Sequence, residues 1–139
     1  MRLVERSATT DIPADAIWNT LATMEWQDWD PDVAAMENTE QGLQEDATFT
    51  YVLNNGLRFP SHIFGVTDGQ AFSWSGSAMA GLMGYWGRIS IEPSDAGTQI
   101  TYQFKMTRLF GWFVDLRYRD LVVHGVEEGL RGIIRNAKP

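Results

Sequence analysis

The 139-residue chain has no cysteine, which removes disulfides, thiolate metal ligands and cysteine nucleophiles together and leaves packing to hold the fold. It also lacks any run of about eighteen apolar residues, so no segment reads as a membrane-crossing helix. The start, MRLVERSATT, has no apolar stretch of the kind that drives secretion. These absences lead us to expect a cytoplasmic protein without stable membrane insertion. No basic run of five or more occurs, and the formal charge of −7 repels phosphate backbones and anionic lipid surfaces. Nucleic acid is therefore not expected as a partner. Only two histidines are present, His62 and His124, and neither belongs to a metal-spaced cluster. There is no nucleophile elbow and no phosphate-binding glycine motif, so no metal or cofactor is expected.

What remains is a globular composition: 44% hydrophobic residues, enough for one core, and Gly and Pro scattered rather than clustered. We read residues 1–139 as one domain. Residues 2–10 alternate and are rich in β-branched side chains, which predicts a strand. Pro13 then fits the first turn of a helix, where its missing N–H costs nothing. In PADAIWNTLATM, residues Ala14, Ile17, Trp18 and Leu21 recur at helical spacing, with Asp15 placed well against the helix dipole. Period-two alternation follows in ATFTYVL, where Ala47, Phe49, Tyr51 and Leu53 share a face. Asn54-Asn55-Gly56 reads as a hairpin turn. LRFPSHIFGVT is the return strand, with Pro60 arguing for an edge or a bulge. FSWSGS, GYWGRISIEP and TQITYQFKMT continue the pattern. The last is the clearest, with Ile100, Tyr102, Phe104 and Met106 alternating against Thr101, Gln103 and Lys105.

From about Leu109 onward the chain reads as one long helix. Steps of about 100° put Trp112, Leu116, Val123, Val126, Leu130, Ile133 and Ile134 on one stripe. Arg131, Arg135 and Lys138 lie near its end, where cations are favoured. Arg119 falls inside the apolar stripe and Asp115 at its flank, an acid-to-base pair four residues apart. Either the two satisfy each other, or Arg119 engages the polar head of a ligand. Gly125, Gly129 and Gly132 share one side, which suggests close packing or room for a ligand. Phe113 and Leu121 lie off the stripe and hint at an exposed apolar patch or a dimer contact, so a homodimer and a protein-interaction role are both open.

The run Ile12-Pro13-Ala14 with Ile17-Trp18 and Leu21, then Trp26, Trp29, Pro31 and Val33, resembles the N-terminal signature of the START-like superfamily in its polyketide cyclase/dehydrase branch. GYWGRISIEPSDAGTQITYQFKM, with the turn Asp95-Ala96-Gly97-Thr98, is similar to that family's two central strands. The resemblance spans essentially the whole chain. It implies an α+β helix-grip fold: an antiparallel sheet of about seven strands wrapped around a long C-terminal helix, with short helices after the first strand and a cavity between sheet and helix. It also implies a small apolar or amphipathic ligand, lipid or polyketide-like, bound or carried there, and in a minority of members a cyclase or dehydratase.

Within that frame, alternation assigns Phe49, Tyr51, Phe59, Trp74, Tyr85, Tyr102 and Phe104 to the cavity wall. Leu116, Val123 and Arg119 would add the helix side. Trp26 and Trp29 would stand at the cavity mouth or pack on the sheet, and Met79 would belong to an apolar lid over residues 77–84. His62, Asp115 and Arg119 are the candidates for moving protons.

Overall fold

The computed structural model describes residues 2–137. In chain order it forms β1 (Val4–Thr10), α1 (Ala14–Ala22), a single 3-10 turn (Trp26–Asp28), β2 (Val33–Glu37), β3 (Thr48–Leu53), β4 (Arg58–Thr67), β5 (Ala71–Ala78), β6 (Met83–Ser94), β7 (Gly97–Thr107), α2 (Arg108–Arg117) and α3 (Arg119–Asn136). The strands make one seven-stranded antiparallel sheet in the order β1-β7-β6-β5-β4-β3-β2. Strands β2 to β7 therefore pair in succession, and β1 closes on the far edge beside β7. The sheet curls around α3. That helix meets β1 and β7 on one side, and on the other its Gly125 faces Asp32 while Gly129 faces the Tyr102 and Trp29 rings. The fold is the α+β helix-grip arrangement.

Alternation decides which side chains enter the hollow. Ile100, Tyr102 and Met106 of β7, Tyr85, Ile89 and Ile91 of β6 and Phe49 and Tyr51 of β3 are buried, and register brings them to one face. Each such aliphatic or aromatic side chain removed from water contributes about 1.5–3 kcal/mol. From α1, Ile17, Trp18 and Leu21 close one end of the same core.

Three expectations change. β2 is an additional strand, short and with only Val33 buried, on the sheet edge; its VAAME lacks the aromatic and β-branched alternation that marks its neighbours. Pro60 lies inside β4, which is an interior strand. Pairing of β4 with β5 begins only at Ser61, however, so the ring sits where that side of the strand is unpaired.

The C-terminal helix is two helices. Tyr118 leaves helical geometry at φ −124°, ψ 31°, and the stripe drawn through Trp112 and Leu116 loses phase there. Val126, Leu130 and Ile133 are buried and Val123 and Ile134 partly so, but Trp112 and Leu116 are 51% and 61% exposed. α2 instead turns Gly111 and Asp115 inward, because its backbone approaches the sheet closely: a methyl on Gly111 would meet the Gly84 carbonyl oxygen at 3.3 Å. Among the described residues no helix is long and apolar enough to cross a membrane. Lys138 lies outside the described residues.

Candidate functional site

The hollow between sheet and α3 is lined as alternation places it. Phe49, Tyr51, Phe59, Trp74, Tyr85 and Tyr102 are buried on the inner face, and Phe104 packs partly buried beside them. Trp74 lies across β6 because position 87 is glycine; a methyl there would sit 2.3 Å from the indole.

The segment after α1 fills the space these walls enclose. Met24 takes a left-handed backbone conformation (φ 58°) that turns the chain back. The 3-10 turn follows, and the Asp30 N–H donates to the Trp26 carbonyl at 2.8 Å. Asp30 Oδ1 then accepts the Asp32 N–H at 2.9 Å, a side-chain turn of the kind Asp forms readily. Trp26 and Trp29 consequently point inward, each 2% exposed, and neither stands at a wet rim. The Trp26 ring lies 4.9 Å from Phe49, 5.0 Å from Trp74, 5.5 Å from Trp29 and 5.6 Å from Tyr51. Behind Trp29, Gly132 lets α3 close on the segment; a methyl there would fall 1.7 Å from the Trp29 carbonyl oxygen. The glycine side of α3 serves close packing.

This aromatic interior holds polar atoms without partners. The indole N–H groups of Trp26, Trp29 and Trp74 are buried and make no hydrogen bond, and a buried unmade donor costs about 1–3 kcal/mol. Tyr51 and Tyr102 flank the same rings. Burial raises both hydroxyls well above the usual tyrosine range. The neighbouring Tyr85, Tyr102 and Asp30 add to the rise at Tyr51, and Asp30 and Asp32 add to it at Tyr102. The nearby Trp74 indole N–H offsets part of the rise at Tyr51. Tyr85 is otherwise engaged: its hydroxyl donates to the Pro60 carbonyl, and burial pushes its pKa up to about 12.

Asp30 sits at the edge of this cluster and was not singled out by sequence pattern. Burial raises its pKa to about 6, the Asp32 charge adds to the rise, and the bond from the Asp32 backbone N–H opposes it. At pH 7 about a tenth of such a group carries its proton, so it can donate and accept near neutrality. The one sequence signal was its place between an inward tryptophan and Pro31, where a side-chain turn is common.

The remaining candidates lie elsewhere. His62 points to the outer face of β4, exposed, with Nε2 3.1 Å from Asp46 Oδ1 and its ring stacked on Phe64. The side chain does not enter the hollow, because it is Phe59, Ser61 and Ile63 that face the core. Arg119 bonds Asp115 Oδ1 at 2.6 Å and the Arg2 and Leu3 carbonyls at 3.0 and 3.2 Å. Its charge is thus spent on Asp115 and on tying the N-terminal segment to the helix break. Leu116 is on the outer surface of α2, so it does not line the hollow; Met79 is exposed at the β5–β6 turn, and Val123 is partly buried on α3. Among the described residues no group of His, Asp and Glu is arranged to hold a metal ion.

Comparison with solved structures finds the same fold across nearly the full chain. A hypothetical protein from Helicobacter pylori superposes with a TM-score of 0.84 at 12% identity, covering 99% of this chain and 88% of that one. A protein from Thermus thermophilus matches with a TM-score of 0.74 at 15% identity, covering 96% and 95%. The di-domain ARO/CYC StfQ from the steffimycin biosynthetic pathway matches with a TM-score of 0.71 at 14% identity, covering 97% of this chain and 50% of that one. At these identities the likeness is one of fold. A search of curated protein sequences finds no match. The family model for polyketide cyclase/dehydrase and lipid transport matches residues 1–138, and the chain belongs to that family.

Proposed function

We propose that this chain binds a small apolar or amphipathic molecule, lipid or polyketide-like, in the hollow between the sheet and α3, taking over space that Trp26 and Trp29 hold. The observation that carries the reading is the set of three buried indole N–H groups without acceptors among apolar rings. A ligand with a carbonyl or hydroxyl oxygen would satisfy donors that the protein leaves unmet, and its apolar part would replace ring-to-ring contacts. At about 0.3 kcal/mol per heavy atom, a twenty-atom ligand gains roughly 6 kcal/mol, a dissociation constant in the tens of micromolar; each satisfied donor tightens it. Entry requires the 24–31 segment to yield, with Met24 and Pro31 at its ends.

The test is native mass spectrometry for a co-purified molecule, followed by titration with fatty acids, sterols and aromatic polyketides read by tryptophan fluorescence. Saturable binding that weakens about tenfold in Trp74→Phe, which keeps an aromatic ring and loses the donor, fits the reading. If no compound of these classes binds saturably, it fails.

The raised pKa of Asp30 beside Tyr51 and Tyr102 favours one second reading, proton transfer to a polyketide-like substrate in the same place. Turnover of an aromatic polyketone that is lost in Asp30→Asn would distinguish it from binding alone.

A further inference from the structure

We propose that the outer side of α2, with the tip of the β5–β6 turn, docks on an anionic lipid bilayer. This goes beyond the ligand reading and stands whatever the hollow binds.

α2 is inverted relative to an ordinary surface helix. Its inward side carries Gly111 and the buried carboxylate of Asp115, while Leu109, Trp112, Phe113 and Leu116, spaced i, i+3, i+4 and i+7, face solvent. Leu109 is 77% exposed and Phe113 47%. Leu82 of the neighbouring turn joins Leu109, Trp112 and Phe113 around an open groove, and Met79 is exposed on the same turn. The two parts are held as one surface. The Phe110 N–H donates to the Leu82 carbonyl at 2.9 Å, and Arg108 Nη1 donates to the Gly81 carbonyl at 2.9 Å. An apolar side this continuous is expected where something apolar covers it.

Charge selects the bilayer. Residues 105–120 carry Lys105, Arg108, Arg117 and Arg119 against Asp115 and Asp120, a net +2 in a chain whose total is −7. Residues 77–84, SAMAGLMG, carry no charge at all. Asp115 and Arg119 neutralise each other. Among the described residues Lys105, Arg108 and Arg117 make no ion pair; Lys105 stands over the Trp86 ring, Arg117 over the Tyr118 ring, and Arg108 holds only a neutral carbonyl. Screening at physiological salt limits the field to about 8–10 Å, so the cations adjoining the apolar side, Arg108 and Arg117, and not the total charge, dominate what an approaching surface meets. The repulsion expected from the total does not govern this side of the molecule. Exposed leucine, tryptophan and phenylalanine flanked by arginine is the chemistry that settles at the boundary of headgroup and acyl chain.

The experiment is sedimentation of the full chain with vesicles of phosphatidylcholine alone and of phosphatidylcholine with one-third phosphatidylglycerol. Binding is expected to the second and to fall as salt rises. Arg117→Gln should weaken it about fivefold, the effect of one cation near such a surface. Phe113→Asp should weaken it at least tenfold, and Leu109→Asp serves if that variant does not fold. Brominated lipid should quench wild-type fluorescence but not that of Trp112→Phe. Absence of binding at low salt, equal binding to neutral vesicles, or indifference to both Arg117→Gln and Phe113→Asp would overturn the proposal. So would a stable dimer that ignores vesicles and dissociates in Phe113→Asp, because the surface would then belong to a second copy of the chain.

Discussion

Replacing Asp30 by asparagine removes one titrating group while keeping an oxygen to accept the Asp32 N–H, now at 2.9 Å. The folded pKa is about 6 against an ordinary 3.8. Between those values the native protein holds a proton that the unfolded chain has released. Wild-type stability from this group is therefore unpenalised below the ordinary value, falls as pH rises through the window, and stays reduced above it. The full difference corresponds to about 3 kcal/mol, and the partial exposure of Asp30 lowers the expectation to about 2 kcal/mol. In urea unfolding followed by tryptophan fluorescence, Asp30→Asn should match wild type near pH 3.5 and exceed it by about 2 kcal/mol at pH 7. Taking the difference between the two proteins cancels the other carboxylates. A difference that does not change with pH, or a variant less stable at pH 7 than at pH 3.5 relative to wild type, would refute the claim that burial raises the pKa of this carboxyl.

Gly132→Ala places a methyl 1.7 Å from the Trp29 carbonyl oxygen. Although alanine favours a helix by about 1 kcal/mol, the backbone must separate, and a net loss of about 1–3 kcal/mol is expected in the same unfolding assay. Arg119→Ala strands the buried Asp115 carboxylate, leaving only Arg2 at 3.7 Å; the loss should be about 2 kcal/mol and should shrink in the double variant with Asp115→Ala, as a double-mutant cycle will show. Trp26→Ala removes the ring at the centre of the aromatic cluster. It should lower stability by about 3–5 kcal/mol, and calorimetry should then detect binding of benzene-sized molecules that the wild type excludes.

Most of the strand layout was legible in the sequence. The β3 and β7 segments alternate so regularly that the inward sets, Phe49 and Tyr51, then Ile100, Tyr102 and Met106, follow from local pattern alone. β2 was not legible, because an exposed edge strand of small residues carries little period. The break at Tyr118 was not legible either: no proline or glycine marks it, and the groups that Arg119 binds beside it, the carbonyls of Arg2 and Leu3, lie at the other end of the chain. The same is true of Asp30. Its neighbours Tyr51 and Tyr102 come from β3 and β7, and apart from the Pro31 that follows it nothing local distinguishes it from Asp28, which is exposed.

The sequence alone determined the sheet's inner and outer faces, the family and the cysteine-free, acidic character of the chain, because side-chain direction along a strand and formal charge are local properties. Only the tertiary structure decided that Trp26 and Trp29 occupy the hollow, that Arg119 serves the N-terminal segment, that α2 shows its apolar side to solvent and that one aspartate titrates near neutrality. Burial and electrostatic environment are set by groups that meet only when distant segments pack, and no period along the chain encodes them.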